Sequence, residues 1–216
     1  MSKKKEFEVI NKEGNLVFGP YVAYYELDRN FCKELLKIGK ASKEKFNYFL
    51  AGRIDKEFKI NLEKNKWIRE YLNNYVVKWL KGYANFGCNL MARNPVSFNI
   101  NSMWINIMKK GEYNPMHVHQ ECHLSFVIYL KTPHKSLKKD NYLVNPQGTN
   151  GRTNFFYGEG SWTNISHRVL YPYENMMVIF PANLAHSVDA YEKPGERISV
   201  AGNVWFNDFG KLLANG

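Results

Sequence analysis

The hydrophobic periodicity of this chain changes once and does not change back, and that single switch limits the folds open to it. Up to Tyr83 the strongest signals are helical. Asp28 can cap a helix over Arg29 to Lys40, with Phe31, Leu35, Leu36 and Ile38 as its apolar stripe. A second helix is predicted over Leu62 to Tyr83, where Ile68, Tyr71, Leu72, Tyr75, Val76, Trp79 and Leu80 recur at helical spacing, with Gly82 or Gly87 to end it. From Pro95 onward the runs read as strands: Ser97 to Asn106, Leu124 to Leu130, Asn175 to Phe180 and Ile198 to Trp205. Phe7 to Tyr25 is also β-like, around a Glu13-Gly14-Asn15 turn, and Leu50 to Ile60 is ambiguous. Thr132 to Glu174 reads as polar loops with short β pieces such as Thr153 to Tyr157. The expectation is a mainly β fold with N-terminal helices: one domain over 1–216, with strands and supporting helices in 1–95 and a β core in 96–209. An antiparallel half of this kind closes most easily into a barrel or sandwich.

Size permits this. A chain of 216 residues with 44% hydrophobic and 15% aromatic content can bury roughly 70% of its unfolded surface. Three cysteines, Cys32, Cys88 and Cys122, form no CxxC pair, which argues against a zinc ribbon or a thioredoxin-type site. The start, MSKKKEFEV, lacks the apolar core of a secretory signal, and no run approaches the length of a membrane span, so a cytoplasmic protein is expected. A net charge of +10 admits a nucleic-acid or ribosomal partner, but the lysines are dispersed, as on a solubilising surface.

All six histidines lie in the β half, and His117, His119 and His123 crowd into seven residues ahead of the apolar run from Leu124. On a strand, residues two apart share a face, so His117, His119, Glu121 and His123 can project together. Imidazole and carboxylate suit Fe, Zn, Cu or Ni. A further ligand must come from elsewhere, and His186, in PANLAHS after the apolar strand Met176 to Phe180, is placed to supply it. His134 and His167 fall in polar loops and are expected to be solvated.

In ERISVAGN, Arg197 and Ser199 alternate with Ile198 and Val200 and so share one strand face. An arginine pointing into a barrel must be paired, because an unpaired buried charge is very costly. The partner is either an internal Asp or Glu, or the carboxylate of a ligand.

The order HxH or HxE, then LSFVIYL, then FPxxLxHSV, then ERISVAGN resembles the 2-oxoglutarate- and Fe(II)-dependent oxygenase superfamily, and within it the small prolyl-hydroxylase-like oxygenases of marine bacteriophages. The match covers roughly Trp104 to Asn207. It implies a double-stranded β-helix, the jelly roll shared with cupins. It implies Fe(II), with 2-oxoglutarate and O2 as cosubstrates. Carried over by position, His186 is the distal metal ligand and the proximal pair comes from His117 to Glu121. Arg197 and Ser199 hold the distal carboxylate of 2-oxoglutarate, with Tyr129 adding a hydroxyl. Asn106 reaches the keto-acid end, and Asn203 lines the pocket. The ligand set stays open between His117, His119 and His186, and a standard triad in which Glu121 replaces His117.

The resemblance further implies hydroxylation of a C–H bond, most simply in a protein or peptide, coupled to decarboxylation of 2-oxoglutarate to succinate and CO2. Trp104, Trp162, Phe155 and Phe156 are candidates for the cavity wall, and Lys135 to Trp162 is long enough for a substrate lid. If the protein is phage-encoded, its setting is the host cytoplasm. Two rival readings remain: a cupin-like metalloprotein without 2-oxoglutarate, and an inert binding or virion module of the same fold.

Overall fold

A computed structural model describes residues 19–46, 52–85, 97–132, 151–162, 164–190 and 194–207. The Glu13–Asn15 turn, Gly87, Cys88, His134 and most of the Lys135–Trp162 segment lie outside them. The elements run β1 (Ala23–Glu26), α1 (Arg29–Ala41), β2 (Glu57–Lys59), α2 (Lys66–Asn85), β3 (Phe98–Met108), β4 (Asn114–His117), β5 (Leu124–Lys131), β6 (Thr153–Phe156), β7 (His167–Leu170), β8 (Met176–Pro181), β9 (Ala185–Val188) and β10 (Arg197–Phe206). The mainly β fold with helices in the N-terminal half is the architecture expected. No helix among the described residues is long and apolar enough to cross a membrane.

The first helix starts where a side chain satisfies free N–H groups of its first turn. Asp28 Oδ1 accepts from Asn30 N at 2.8 Å and from Phe31 N at 3.0 Å, the capping geometry expected. The second helix begins four residues later than its apolar pattern suggests. Asn61 Oδ1 accepts from Lys64 N at 2.9 Å, and Asn65 Nδ2 donates to the Asn61 carbonyl at 2.8 Å, so a polar turn holds 62–65 before the helix sets in. The ambiguous Leu50–Ile60 stretch contributes β2, an edge strand.

Two antiparallel sheets face each other, a six-stranded one in the order β1-β8-β5-β10-β3-β2 and a four-stranded one in the order β4-β9-β6-β7. The period of two along the central strands makes two cores from one sheet. On β5, Leu124, Phe126, Ile128 and Leu130 join Leu35 of α1 and Ile68, Leu72 and Val76 of α2 in the larger core. The alternate residue Tyr129 packs between the sheets with Phe155, Val178, Phe180 and Leu184. β10 divides the same way: Ile198, Val200 and Val204 face the helices, while Arg197, Ser199 and Ala201 line a cavity between the sheets. The helices therefore back the sheet whose other face carries the candidate site.

Candidate active site

The cavity holds about 450 Å3 including its open mouth, between β3 and β10 on one side and β4, β9 and β6 on the other. His117, His119 and His186 meet at its wall, with one ligand atom of each within 4.8 Å of the others. His117 closes β4, directly opposite His186 on β9. His119 lies just past the strand, where its N–H donates to the Ala182 carbonyl at 2.9 Å. The face argument from sequence holds only to that point. Glu121 turns the chain with a positive φ of 55°, is exposed, and stands outside the histidine group. His123 turns away: its Nδ1 accepts from Phe206 N at 3.0 Å and its ring stacks on Phe206.

The donor set suits a metal. His186 Nδ1 lies 2.9 Å from the Leu184 carbonyl and His117 Nδ1 lies 2.8 Å from the Pro115 carbonyl. A carbonyl only accepts, so both Nδ1 atoms carry the proton and both Nε2 atoms keep a free lone pair. His119 Nε2 and His186 Nε2 stand 3.3 Å apart; two nitrogens held at a right angle on one ion, at about 2.1 Å each, lie about 3.0 Å apart. Burial first, then the neighbouring imidazoles, drives His186 down to about 3, and burial and His117 drive His119 down to about 4. Burial also lowers His117, against the pull of the Pro115 carbonyl. All three rings are therefore neutral at physiological pH and ready to coordinate. Phe180 packs edge-on to His186 at 4.8 Å, and Trp104 lies 5.8 Å from His119, which fixes two of the rings.

Across the cavity Arg197 is 1% exposed. Its Nε donates to the Gly151 carbonyl at 3.1 Å, its Nη1 to Ser199 Oγ at 3.2 Å, and its Nη2 to Thr153 Oγ1 at 3.3 Å. The Tyr129 ring lies 5.2 Å from the guanidinium. These partners are all neutral, and no ion pair to Arg197 occurs among the described residues. No Asp or Glu among the described residues fills the internal role allowed by sequence. A cation that stays protonated is thus held in a cleft whose described residues offer it dipoles but no counter-charge.

The other expected residues are spread more widely. Asn106 lines the cavity beside Ser199, its register partner across β3 and β10. The Tyr129 hydroxyl is 2.9 Å from Thr153 Oγ1, so it supports Thr153 rather than lining the cavity itself. Asn203 accepts from Ser125 Oγ at 3.0 Å, at the bulge between Asn203 and Val204 and outside the cavity wall. Trp104 lines the cavity, Phe155 packs beneath His186, Phe156 stacks on His167, and Trp162 is 98% exposed and walls nothing. His167 opens β7 rather than sitting in a loop, with Nε2 3.1 Å from Asn154 Oδ1. Thr153 is the site residue that sequence reading missed. Its only signal was its place in a short β piece, where alternation puts it on one face with Phe155.

Residues 102–203 match the family described as "Putative 2OG-Fe(II) oxygenase". A search of curated proteins finds no sequence match. Among solved structures, a 2OG-Fe(II) oxygenase family oxidoreductase from Burkholderia pseudomallei is similar at a TM-score of 0.56 and 14% identity, over 85% of this chain and 84% of that one. A prolyl-4-hydroxylase from Pseudomonas putida is similar at 0.51 and 14%, over 86% and 91%. A viral collagen prolyl hydroxylase from Paramecium bursaria chlorella virus 1, solved as its 2OG complex, is similar at 0.53 and 12%, over 88% and 98%. At such identities the structures speak for the fold, which is the double-stranded β-helix expected. None of them bears on a bacteriophage branch. Residues 102–203 thus carry the sequence pattern of the 2OG-Fe(II) oxygenases, within a fold that structures of that family share across most of this chain.

Proposed function

We propose that the protein is an Fe(II)- and 2-oxoglutarate-dependent hydroxylase acting on a protein or peptide residue. The observation that carries the reading is Arg197: a buried guanidinium without an acidic partner among the described residues, across the same cavity from three convergent imidazoles. Iron bound with 2-oxoglutarate and O2 supplies the oxidation of a C–H bond, with 2-oxoglutarate leaving as succinate and CO2.

The chain's own residues do the rest. His117, His119 and His186 would hold the metal through their Nε2 atoms or, for His119, the nitrogen facing His186. Arg197 and Ser199 would take the distal carboxylate of 2-oxoglutarate, the charge-assisted pairing for which the guanidinium is shaped. Thr153, braced by Tyr129, keeps Arg197 from rotating. Asn106 offers its amide at the inner side of the same cavity. Ile54, Val127, Val188 and Ala201 make the remaining wall apolar, which excludes water from the reacting centre.

Two points support a peptide substrate. Prolyl hydroxylases are among the structures of similar fold. And β4, an edge strand, carries His117 between exposed Met116 and Val118, an extended apolar rim suited to an extended chain. The proposal also sets the protein in the cytoplasm, where the free thiols of Cys32 and Cys122 stay reduced.

The test is titration of the anaerobic Fe(II) protein with 2-oxoglutarate, followed by the metal-to-ligand charge-transfer absorption. Wild type should develop the band, and Arg197→Ala should need about 10–100-fold more 2-oxoglutarate, the worth of one charged hydrogen-bonding contact or more. One observation favours a cupin-like metalloprotein instead, namely three histidines without a carboxylate. That reading requires equal responses from wild type and Arg197→Ala.

A further inference from the structure

The edge strand β2 contributes one side chain that the reading above leaves without a task. Glu57 is 3% exposed, and its Oε2 has no hydrogen-bond partner. Its register partner on β3 is Asn106, whose Oδ1 is likewise buried and unpartnered. The backbone bonds show how close they come. Ile107 N donates to the Lys56 carbonyl and Ile60 N to the Met103 carbonyl. Glu57 and Asn106 therefore form a non-hydrogen-bonded pair, the kind in which side chains on one face approach most closely, with Cα atoms about 4.5 Å apart. Two buried acceptor oxygens opposite one another are costly as drawn, because each is desolvated with nothing in return. A single proton removes both costs, since a neutral carboxyl group is a donor as well as an acceptor.

We propose that Glu57 is a positioning residue that works as a neutral acid, donating its O–H to Asn106 Oδ1 and thereby turning the Asn106 amide Nδ2 toward the cavity. The proposal rests on the reading of the cavity as a keto-acid pocket. A ligand that presents only acceptor oxygens is attracted by Nδ2 and repelled by Oδ1, so the orientation of this one amide decides whether Asn106 helps or hinders. Without a donor behind it the amide has no reason to prefer the useful orientation.

The surroundings agree. Burial alone pushes the Glu57 carboxyl up to about 8. From β3 it faces Asn106, with Trp104 and Met108 on the same face, none of which titrates. From the 44–46 segment it faces Phe46, whose N–H donates to the Glu57 carbonyl and whose ring stacks on Trp104 at 5.1 Å. On β2 itself the next residue of that face, Lys59, is held by Glu44 at 3.1 Å. Arg197, on the same sheet face beyond β3, bonds Gly151, Ser199 and Thr153 instead, and no ion pair to Glu57 occurs among the described residues.

Two measurements separate this proposal from the reading beneath it. In metal-free protein, the Asn106 side-chain amide resonances should shift with an inflection near pH 8 in wild type and not in Glu57→Gln, which donates at every pH. A flat wild-type profile overturns the proposal whatever the cavity binds. With Mn(II) in the site, 2-oxoglutarate affinity should fall about tenfold in Glu57→Leu, and in wild type above pH 8, with Glu57→Gln close to wild type at neutral pH and holding its affinity above it. If Glu57→Leu binds like wild type while Asn106→Ala binds weakly, the proposal fails and the keto-acid pocket stands. If wild type binds no 2-oxoglutarate, the pocket reading falls, and with it the task assigned to Glu57.

Discussion

His119 Nε2 and His186 Nε2 stand 3.3 Å apart with their rings nearly parallel, at 7°. His186 is buried and His119 half-buried, both rings are neutral, and the pair brings together a loop and a strand 67 residues apart in sequence. Such convergence of ring nitrogens costs solvation without a compensating charge, so a bound ion is the natural beneficiary.

The ligand choice has a direct consequence. His186→Ala should lower Fe(II) affinity by at least about 100-fold, since one of three fixed donors is lost, whereas Glu121→Ala should stay within about twofold. Calorimetric titration with Mn(II) or Fe(II) distinguishes the two. A large loss in Glu121→Ala would restore the two-histidine, one-carboxylate alternative.

Acid sensitivity should follow from the same rings. A free imidazole titrates at 6.5, but His186 and His119 do so at about 3 and about 4 in the folded protein. The unfolded chain binds protons that the folded chain refuses. Stability of the metal-free protein is therefore complete above pH 6.5 and is lost as pH falls toward those values. Thermal unfolding at stepped pH should show the midpoint dropping through this window, and less steeply in His119→Phe/His186→Phe. A level midpoint down to pH 4 would contradict the assignment.

Gly151 should prove intolerant of any side chain. It sits at φ +68°, and an added Cβ would lie 2.9 Å from Arg197 Cδ, while its carbonyl accepts from Arg197 Nε. Gly151→Ala should cost about 1–3 kcal/mol of stability through backbone strain and weaken 2-oxoglutarate binding as Arg197 is displaced. Denaturant unfolding and the charge-transfer titration measure the two effects.

The helical layer supports the site from behind and should behave as ordinary core. Leu72 of α2 is 0% exposed, and Leu72→Ala should destabilise by about 2–5 kcal/mol. Metal affinity per folded molecule should not change, because no residue of α2 lines the cavity.

What could be read from the sequence was whatever is written locally. The two-residue alternation of Arg197 to Val200 and the run Leu124 to Leu130 announce strands whose faces differ, and α2 announces its stripe. The histidine spacing marked a metal-prone segment, and the order of four short motifs supplied the fold. Less legible was everything decided by register between distant strands. Nothing near Glu57 says that it will lie opposite Asn106, and nothing near Thr153 says that it will receive Arg197. The face shared by His117 and Glu121 failed for a local reason: the chain leaves the strand at His117 and turns at Glu121, where φ is positive.

The pairing of His117 with His186 ties chemistry to the length of a connection. β4 is four residues long, lies at the edge of its sheet, and already carries an irregularity between Asn114 and His117. Slipping a strand by one residue sends each of its side chains to the opposite face. Removing a single residue between Gly111 and Met116 would thus disarm the protein while leaving every histidine, the arginine and both cores in place. For this protein the count of residues ahead of His117 shapes the site as much as the imidazole itself.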